Sequence, residues 1–166
     1  MKGNIVIFED SAIDRMWPVT LTRPGFAITC AGWTLEEVAC LGHCKVRHLT
    51  RKHVRDVSQR DCPDSSSREG PTLFLNASLA PDVAYVRAIR GLLLEDHSRL
   101  YRSGDRVAAA LVPADHPVPS GLTGGRVTAY LNDLNVREAT DFSFQTINRP
   151  HELIAMNEEL FADNIR

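Results

Sequence analysis

The feature that most constrains this chain is its first apolar run, which passes directly into a polar loop. The run Asn4-Ile-Val-Ile-Phe8 has the β-branched and aromatic composition of a buried strand. The loop from Asp10 to Pro24 carries two arginines and two prolines. Since α/β proteins bind phosphates in loops beyond the carboxyl ends of such strands, the opening predicts an α/β fold with a phosphate-binding loop.

Length and charge exclude several other classes of protein. A chain of 166 residues with 43% apolar content has enough apolar side chains to bury one core. Its net charge of -2 lacks the basic excess that duplex nucleic acid requires. No apolar run reaches membrane-spanning length, and the first residues do not form a signal peptide. We therefore expect one domain over residues 1–166 that is cytoplasmic and binds neither nucleic acid nor membrane.

Strands and helices alternate along the first half of the chain. Thr34 and Glu37 form a capping-box pattern that predicts the start of a helix, and Gly42 predicts its end. We further predict strands over 44–49, 71–76 and 142–147, a hairpin over 99–112, and helices over 50–57, from 81, over 126–134 and over 149–165. Residues 61–70, rich in proline, serine and charge, are expected to form a mobile loop. The alternation favours a largely parallel sheet flanked by helices.

A metal site built from cysteine and histidine is an alternative source of function. The candidate ligands are Cys30, Cys40, Cys44, Cys62, His43, His48 and His53. Their spacing matches no paired C-x-x-C template for zinc, and the thiols of cytosolic proteins are normally reduced. We therefore favour isolated thiols and surface histidines, with Cys30 and Cys40 buried among apolar neighbours.

The loop after the first strand also has a specific spacing of residues. Phe8-Glu-Asp10 is followed by Arg15, then by Pro18-Val-Thr20 and Thr22-Arg-Pro24. This pattern resembles the start of the sugar nucleotidyltransferase-like domain at the N-terminus of bacterial proteins related to the bifunctional N-acetylglucosamine-1-phosphate uridyltransferase / glucosamine-1-phosphate acetyltransferase. Further landmarks over 32–37, 73–78, 106–110 and 149–157 agree in order, so the resemblance spans nearly the whole chain.

The resemblance implies both a fold and a reaction. The fold is nucleotide-diphospho-sugar-transferase-like, a Rossmann-like α/β architecture with a mostly parallel, mixed sheet. The reaction joins a sugar-1-phosphate to the α-phosphorus of a nucleoside triphosphate and expels pyrophosphate, with Mg²⁺ as cofactor and a role in cell-envelope chemistry. In longer relatives a hexapeptide-repeat domain carries acyl transfer. No such repeat occurs here, which leaves a homo-oligomer, an accompanying acyltransferase domain, or an N-terminal portion of a longer protein as possible contexts.

The resemblance also assigns roles to individual residues. Arg15 and Arg23 take the catalytic positions, because both substrates are anionic and charge neutralisation is the main chemical task. Asn76 takes the position of the carboxylate that holds Mg²⁺, as a weaker ligand. The implied substrate contacts are Asp10, Thr20, Thr22, Asn76 and Ala77.

Three departures from the family pattern affect this site. Phe8-Glu-Asp-Ser-Ala-Ile13 replaces the glycine-rich stretch, and its side chains and negative charge hinder the approach of phosphate. Gly25 stands where ordinary members carry a lysine. Asn76 stands where they carry the metal-binding aspartate, which Asp82 or Asp10 would have to replace.

Structural roles are the alternatives for the same residues. Arg15 and Arg23 would then pair with Glu9, Asp10 or Asp14, while Asn76 would cap the turn after its strand.

Two rival functions accompany the enzyme hypothesis. One is a module that binds a nucleotide or sugar nucleotide without transferring it. The other is a structural domain that packs against an acyltransferase domain or a second copy, and it predicts an apolar patch on the outer face of the terminal helix.

Overall fold

The computed structural model describes residues 3–42, 46–55, 70–116, 118–119, 121–134, 136 and 138–165. Within these residues the chain forms a five-stranded sheet with helices on both faces. The strands are β1 (Asn4–Phe8), β2 (Val46–Leu49), β3 (Thr72–Asn76), β4 (Arg99–Ser103) and β5 (Arg106–Val112). The helices are α1 (Leu35–Gly42), α2 (Tyr85–Leu92), α3 (Gly124–Asp133) and α4 (Pro150–Asn164), and 3-10 helices cover Ser11–Met16, Gly25–Ala27 and Lys52–Val54.

The sheet has a parallel half and an antiparallel half. Its strand order is β2-β1-β3-β5-β4. Strand β1 pairs in parallel with β2 on one side and with β3 on the other. Strand β5 pairs antiparallel with both β3 and β4. The predicted Rossmann-like α/β fold with a mixed sheet is therefore confirmed.

Alternation along the strands divides the core between the two faces of the sheet. Successive side chains of a strand point to opposite faces. Ile5 and Ile7 accordingly pack with α1 and α2 on one face. Val6 and Phe8 pack with α3 on the other. Because both faces of β1 are covered, its sequence is continuously apolar from Ile5 to Phe8.

The start of α1 shows the capping box that its sequence predicts. The backbone N–H of Glu37 donates to Thr34 Oγ1 at 3.2 Å. The backbone N–H of Thr34 in turn donates to Glu37 Oε2 at 2.7 Å. These reciprocal bonds satisfy donors that the first turn of a helix otherwise leaves unpaired.

The prediction of a strand over 142–147 is wrong. This segment pairs only through an isolated bridge between Leu79 and Thr146. Its alternating aromatic residues pack as a cluster instead, with the Phe144 ring 5.0 Å from Tyr85 and 5.2 Å from Tyr101. The period-two pattern therefore reflects burial of a loop against the sheet.

Other elements match their predictions with shifted bounds. The helix predicted from 81 begins at 85, and the helix predicted over 126–134 begins at 124. Within the helix predicted over 50–57, a 3-10 helix covers Lys52–Val54, and residues 56–57 lie outside the described residues. Residues 61–69, most of the loop expected to be mobile, lie outside the described residues. No helix in the described parts of the chain is long and apolar enough to cross a membrane.

The candidate cysteine and histidine ligands differ in their exposure. Cys30 is buried as expected, but Cys40 on α1 is exposed. His48 is largely buried rather than on the surface, and its ring stacks on Phe26 with centroids 4.1 Å apart. Among the described residues, no group of three His, Cys, Asp or Glu side chains is arranged to hold a metal ion. Cys44, Cys62 and His43 lie outside those residues.

Candidate functional site

The fold brings three chain segments together at one edge of the sheet. In α/β proteins ligands bind beyond the carboxyl ends of parallel strands, at the point where the chain turns from one side of a strand to the other. Here that point lies between β1 and β3. Asp10 follows β1, and Asn76 ends β3. Since β5 runs antiparallel to β3, its first residue, Arg106, lies at the same edge.

The carboxylate of Asp10 accepts hydrogen bonds from four N–H donors. Arg106 binds it bidentately, from Nη2 to Oδ1 at 2.7 Å and from Nε to Oδ2 at 3.0 Å. Asn76 Nδ2 donates to Oδ2 at 2.9 Å, and the backbone N–H of Ala12 donates to Oδ1 at 3.0 Å. Both carboxylate oxygens are thus engaged by donors from three separate segments.

The guanidinium of Arg106 is held independently of Asp10. Its Nη1 donates to Asn148 Oδ1 at 2.8 Å, and its Nη2 also donates to Asn76 Oδ1 at 3.3 Å. The Arg106 side chain is only 5% exposed. We refer to Asp10, Asn76, Arg106 and Asn148 as the switch-point cluster.

Asn76 is completely buried and hydrogen-bonded on both sides of its amide. Its Nδ2 donates to the carbonyl of Val107 at 2.9 Å as well as to Asp10. Its Oδ1 accepts the backbone N–H of Ser78 at 3.0 Å and the Ser78 hydroxyl at 2.7 Å. Asn76 therefore caps the turn after β3, as the structural alternative predicts.

The switch-point cluster does not fit the magnesium ion that the resemblance implies. Mg²⁺ prefers an octahedral shell of oxygen ligands and is normally held by carboxylates. The one carboxylate of the cluster, Asp10, is engaged at both oxygens, and a guanidinium stands beside it. The Asp82 carboxylate forms no hydrogen bond with the described members of the cluster and accepts the backbone N–H of Ala84 instead.

A second arginine–carboxylate pair fixes the loop beside the cluster. Glu9 is buried, and its Oε2 accepts Arg51 Nε at 3.1 Å and the backbone N–H of Arg51 at 2.8 Å. Its Oε1 accepts the backbone N–H of Gly25 at 2.9 Å. Arg51 Nη2 also donates to the carbonyl of Thr20 at 2.7 Å. We call Glu9 and Arg51 the loop clamp, because they tie the end of the loop to the strands.

The predicted catalytic arginines lie on the outside of this loop. Arg15 and Arg23 are both exposed. Neither forms an ion pair with any residue that the structure describes, because Asp10 pairs with Arg106 and Glu9 with Arg51. The structural alternative for these two arginines therefore fails, and their catalytic role stays a prediction.

The predicted hydroxyl contacts differ in accessibility. Thr22 is exposed beside Arg23. Thr20 is fully buried, and its Oγ1 donates to the carbonyl of Ile13 at 3.4 Å. Thr20 thus supports the loop from inside, whereas Thr22 faces solvent. Their contact with a substrate stays a prediction.

Gly25 and Ala77 meet where the loop returns to the sheet. A Cβ atom added to Gly25 would lie 2.7 Å from Ile13 Cδ1 and 2.9 Å from the carbonyl oxygen of Ala77. The backbone N–H of Ala77 donates to the carbonyl of Phe8 at 2.7 Å, so it is not free for a ligand. Beside these residues lies a cavity of about 10 Å³, which is about the size of one water molecule.

The start of α3 covers the neighbouring part of the edge. A Cβ atom added to Gly124 would lie 2.5 Å from the carbonyl oxygen of Glu9 and 2.6 Å from that of Leu49. The first turn of α3 therefore rests directly on the ends of β1 and β2.

Sequence reasoning missed the cations that organise both pairs. Arg106 opens a strand whose other residues are all apolar and buried, and this isolated charge was its available signal. Arg51 follows two residues after the end of β2, at the same edge as the loop. Neither sequence position identifies the carboxylate that the arginine binds.

Comparisons with known proteins agree with the fold. A profile of the sugar nucleotidyl transferase family matches residues 5–166. No curated protein matches the chain. The solved structures include a similar one from Bacillus anthracis, assigned as a glucose-1-phosphate thymidylyltransferase and determined in complex with a sucrose. It superposes with a TM-score of 0.51 and 11% identity, over 97% of this chain and 95% of that chain.

Proposed function

Because this chain belongs to the sugar nucleotidyl transferase family, we propose that it joins a nucleoside triphosphate to a sugar-1-phosphate at the carboxyl edge of β1 and β3. A phosphate oxygen of the sugar-1-phosphate would bond to the α-phosphorus. The bond from that phosphorus to the oxygen bridging to the β-phosphate would break, and pyrophosphate would leave. The observation that carries the proposal is the polar cluster at the edge where this fold binds ligands.

The chain's own residues supply positive charge for this reaction. Phosphoryl chemistry between two anions depends on positioning and on neutralising the charge of the phosphates. Arg15 and Arg23 are exposed, and each guanidinium presents a planar fork that matches two phosphate oxygens. Thr22 places a hydroxyl on the same stretch of loop. These three residues are the proposed first contacts of the substrates.

A screen of substrates would identify the base of the nucleotide and the sugar of the sugar-1-phosphate. The similar structure is assigned to glucose-1-phosphate and thymidylyl transfer, but at 11% identity the likeness concerns the fold. We would incubate the protein with UTP, dTTP, ATP, GTP or CTP and with glucose-, N-acetylglucosamine-, glucosamine- or mannose-1-phosphate. Pyrophosphate release is expected with at least one pair. The absence of release from every pair, with and without Mg²⁺, would refute transfer.

Thermal denaturation separates binding from transfer. A ligand at one hundred times its dissociation constant stabilises the folded state by about 2.7 kcal/mol. Arg15→Ala and Arg23→Ala should remove the rise in Tm that this stabilisation causes. Arg87→Ala should retain the rise, because Arg87 is exposed on α2, outside the loop. A retained shift without pyrophosphate release would identify a binding module rather than a transferase.

Self-association is a second candidate function, favoured by a specific feature of α4. Ile154 and Phe161 lie two helical turns apart, so they share one face of the helix, and they are 68% and 49% exposed. Ile165, just beyond the helix, is 66% exposed. This is the apolar patch that the structural-domain hypothesis predicts. A second copy of the chain is its proposed occupant.

Sedimentation equilibrium tests this candidate directly. The protein should form dimers that Ile154→Gln or Phe161→Gln weakens. Leu94→Gln is the matched control, because Leu94 is an exposed apolar residue outside α4. A monomer at all concentrations would refute self-association.

A further inference from the structure

We propose that the donors around Asp10 form a phosphate site in which Arg106, rather than a metal ion, supplies the central positive charge. In this proposal the Asp10 carboxylate is an internal anion that occupies the site and is displaced by a phosphate group of the ligand. The inference rests on the proposed function in placing the substrate phosphates at this edge of the sheet.

The donors around Asp10 have the geometry of an anion-binding site. Four N–H groups converge on the two oxygens of one carboxylate at 2.7 to 3.0 Å. They come from Ala12 in the loop, Asn76 at the end of β3 and Arg106 at the start of β5. A guanidinium fork binds carboxylate and phosphate oxygens by the same bidentate geometry. A receptor for one anion is therefore also a receptor for the other.

Contacts that do not involve Asp10 hold the guanidinium of Arg106 in place. Arg106 begins a fully buried strand, and Asn148 and Asn76 accept hydrogen bonds from its guanidinium. Among the residues that the structure describes, Arg106 pairs with no carboxylate other than Asp10. Without Asp10 a nearly buried cation would remain without a counter-ion, which is costly and favours the entry of an anion.

Asp10 lies at the start of the loop rather than in a strand. It follows Phe8, the last residue of β1, by two positions and caps the 3-10 helix that begins the loop. The next residue, Ser11, is exposed. The carboxylate of Asp10 can therefore leave the cluster by a movement of the loop start. Asn76 and Arg106 are held by buried strands, and Asn148 also holds the guanidinium of Arg106.

A magnesium ion does not fit this place. Asn76 offers an amide where the resemblance expects a carboxylate, and that amide is hydrogen-bonded on both sides. The positive charge at this place is covalently part of the chain. Phosphate binding should therefore not require Mg²⁺.

The test uses Asp10→Ser with inorganic pyrophosphate as the probe. Serine can still cap the 3-10 helix, but it removes the carboxylate and leaves room for an anion. We expect pyrophosphate in EDTA, compared with sodium chloride of equal ionic strength, to raise the Tm of this variant by about 5 to 10 °C near saturation. Asp14→Ser, which removes another arginine-paired carboxylate of the same loop, should respond as the unaltered protein does.

A response of Asp10→Ser no larger than that of Asp14→Ser would overturn the inference. So would a response that requires Mg²⁺, or one that survives the added change Arg106→Gln. If Asp10→Ser does not fold alone, circular dichroism in increasing pyrophosphate provides the measurement. Folding induced by pyrophosphate supports the site, and continued unfolding in its presence refutes it.

These outcomes are independent of the transferase assay. Pyrophosphate release from substrates together with an unresponsive Asp10→Ser would leave the proposed function standing and refute this inference. No release together with a responsive Asp10→Ser would do the reverse.

Discussion

Glu9 and Asp10 are neighbours in the chain, and each binds an arginine, yet the two pairs are built differently. The Glu9 side chain is completely buried and accepts two backbone N–H groups in addition to the guanidinium of Arg51. The Asp10 side chain is 11% exposed and accepts mainly side-chain donors, from Arg106 and Asn76. The Glu9 carboxylate binds the backbone N–H groups of Gly25 and Arg51. The Asp10 carboxylate binds side-chain groups that another anion could use.

The two ion pairs differ in what remains when the carboxylate is removed. Backbone donors have no other partner in the fold, so Glu9 is needed wherever the loop is formed. Side-chain donors fixed by other contacts form a site that outlasts any one acceptor. The loop clamp therefore stabilises the folded loop, whereas recognition of an anion is the role that we propose for the switch-point cluster.

The largest expected effect is the loss of Glu9. Glu9→Ala leaves Arg51 and two backbone N–H groups without their acceptor, and it should lower the free energy of unfolding by about 3 to 5 kcal/mol. Urea denaturation measures this change. Asp14→Ala, which removes the exposed partner of the same arginine, should cost less than about 1 kcal/mol. Equal costs for the two variants would contradict the role of the loop clamp.

Double variants compare how much stability each pair recovers when its arginine is also replaced. Arg106→Met together with Asp10→Ser should be more stable than Asp10→Ser alone by about 1 to 3 kcal/mol, because no buried charge is left unpaired. Arg51→Met together with Glu9→Ala should recover little, since the backbone N–H groups of Gly25 and Arg51 stay unpaired. Chemical denaturation of the four proteins gives both differences. Similar recovery in the two pairs would remove the distinction.

A smaller effect is expected where the loop meets the sheet. Gly25→Ala places a methyl group against Ile13 and the Ala77 carbonyl and should cost about 1 to 3 kcal/mol. Gly91→Ala is the matched control, since nothing lies within 4 Å of a Cβ there. It should instead stabilise α2 by about 0.5 to 1 kcal/mol. Thermal denaturation compares the two, and a neutral Gly25→Ala would show that the loop can yield.

The smallest change in stability is expected at the exposed arginines. Arg15→Ala and Arg23→Ala should leave the free energy of unfolding within about 0.5 kcal/mol of its original value, because surface positions without partners contribute little. The same variants should lose the stabilisation by nucleotide described above. A loss of stability without ligand would mean that these arginines belong with the loop clamp.

Local signals made much of the fold predictable. Strand β1 follows from five consecutive residues, and the start of α1 follows from Thr34 and Glu37, which interact within one helical turn. The prediction of a strand over 142–147 was wrong because Phe142 and Phe144 alternate as apolar residues do in a strand. Their burial comes from Tyr85 and Tyr101, which are distant in sequence.

The candidate site was predictable only in part for the same reason. Asp10 and Asn76 could be predicted as site residues because each is a polar residue where an apolar run ends. Arg106 lies 96 residues from Asp10, and Arg51 lies 42 residues from Glu9. A single sequence contains no signal for the choice of partner over such separations. That choice depends on the strand order, which places β5 beside β3.

The close packing at Gly25 has a consequence for the family pattern. The resemblance places a lysine at this position, but a side chain there would press against Ile13 and the backbone at Ala77 before an ammonium group reached any phosphate. A lysine would therefore need a smaller residue in place of Ile13 or a different course of the loop. A phosphate bound at this edge of the sheet would have to take its positive charge from other residues of the chain.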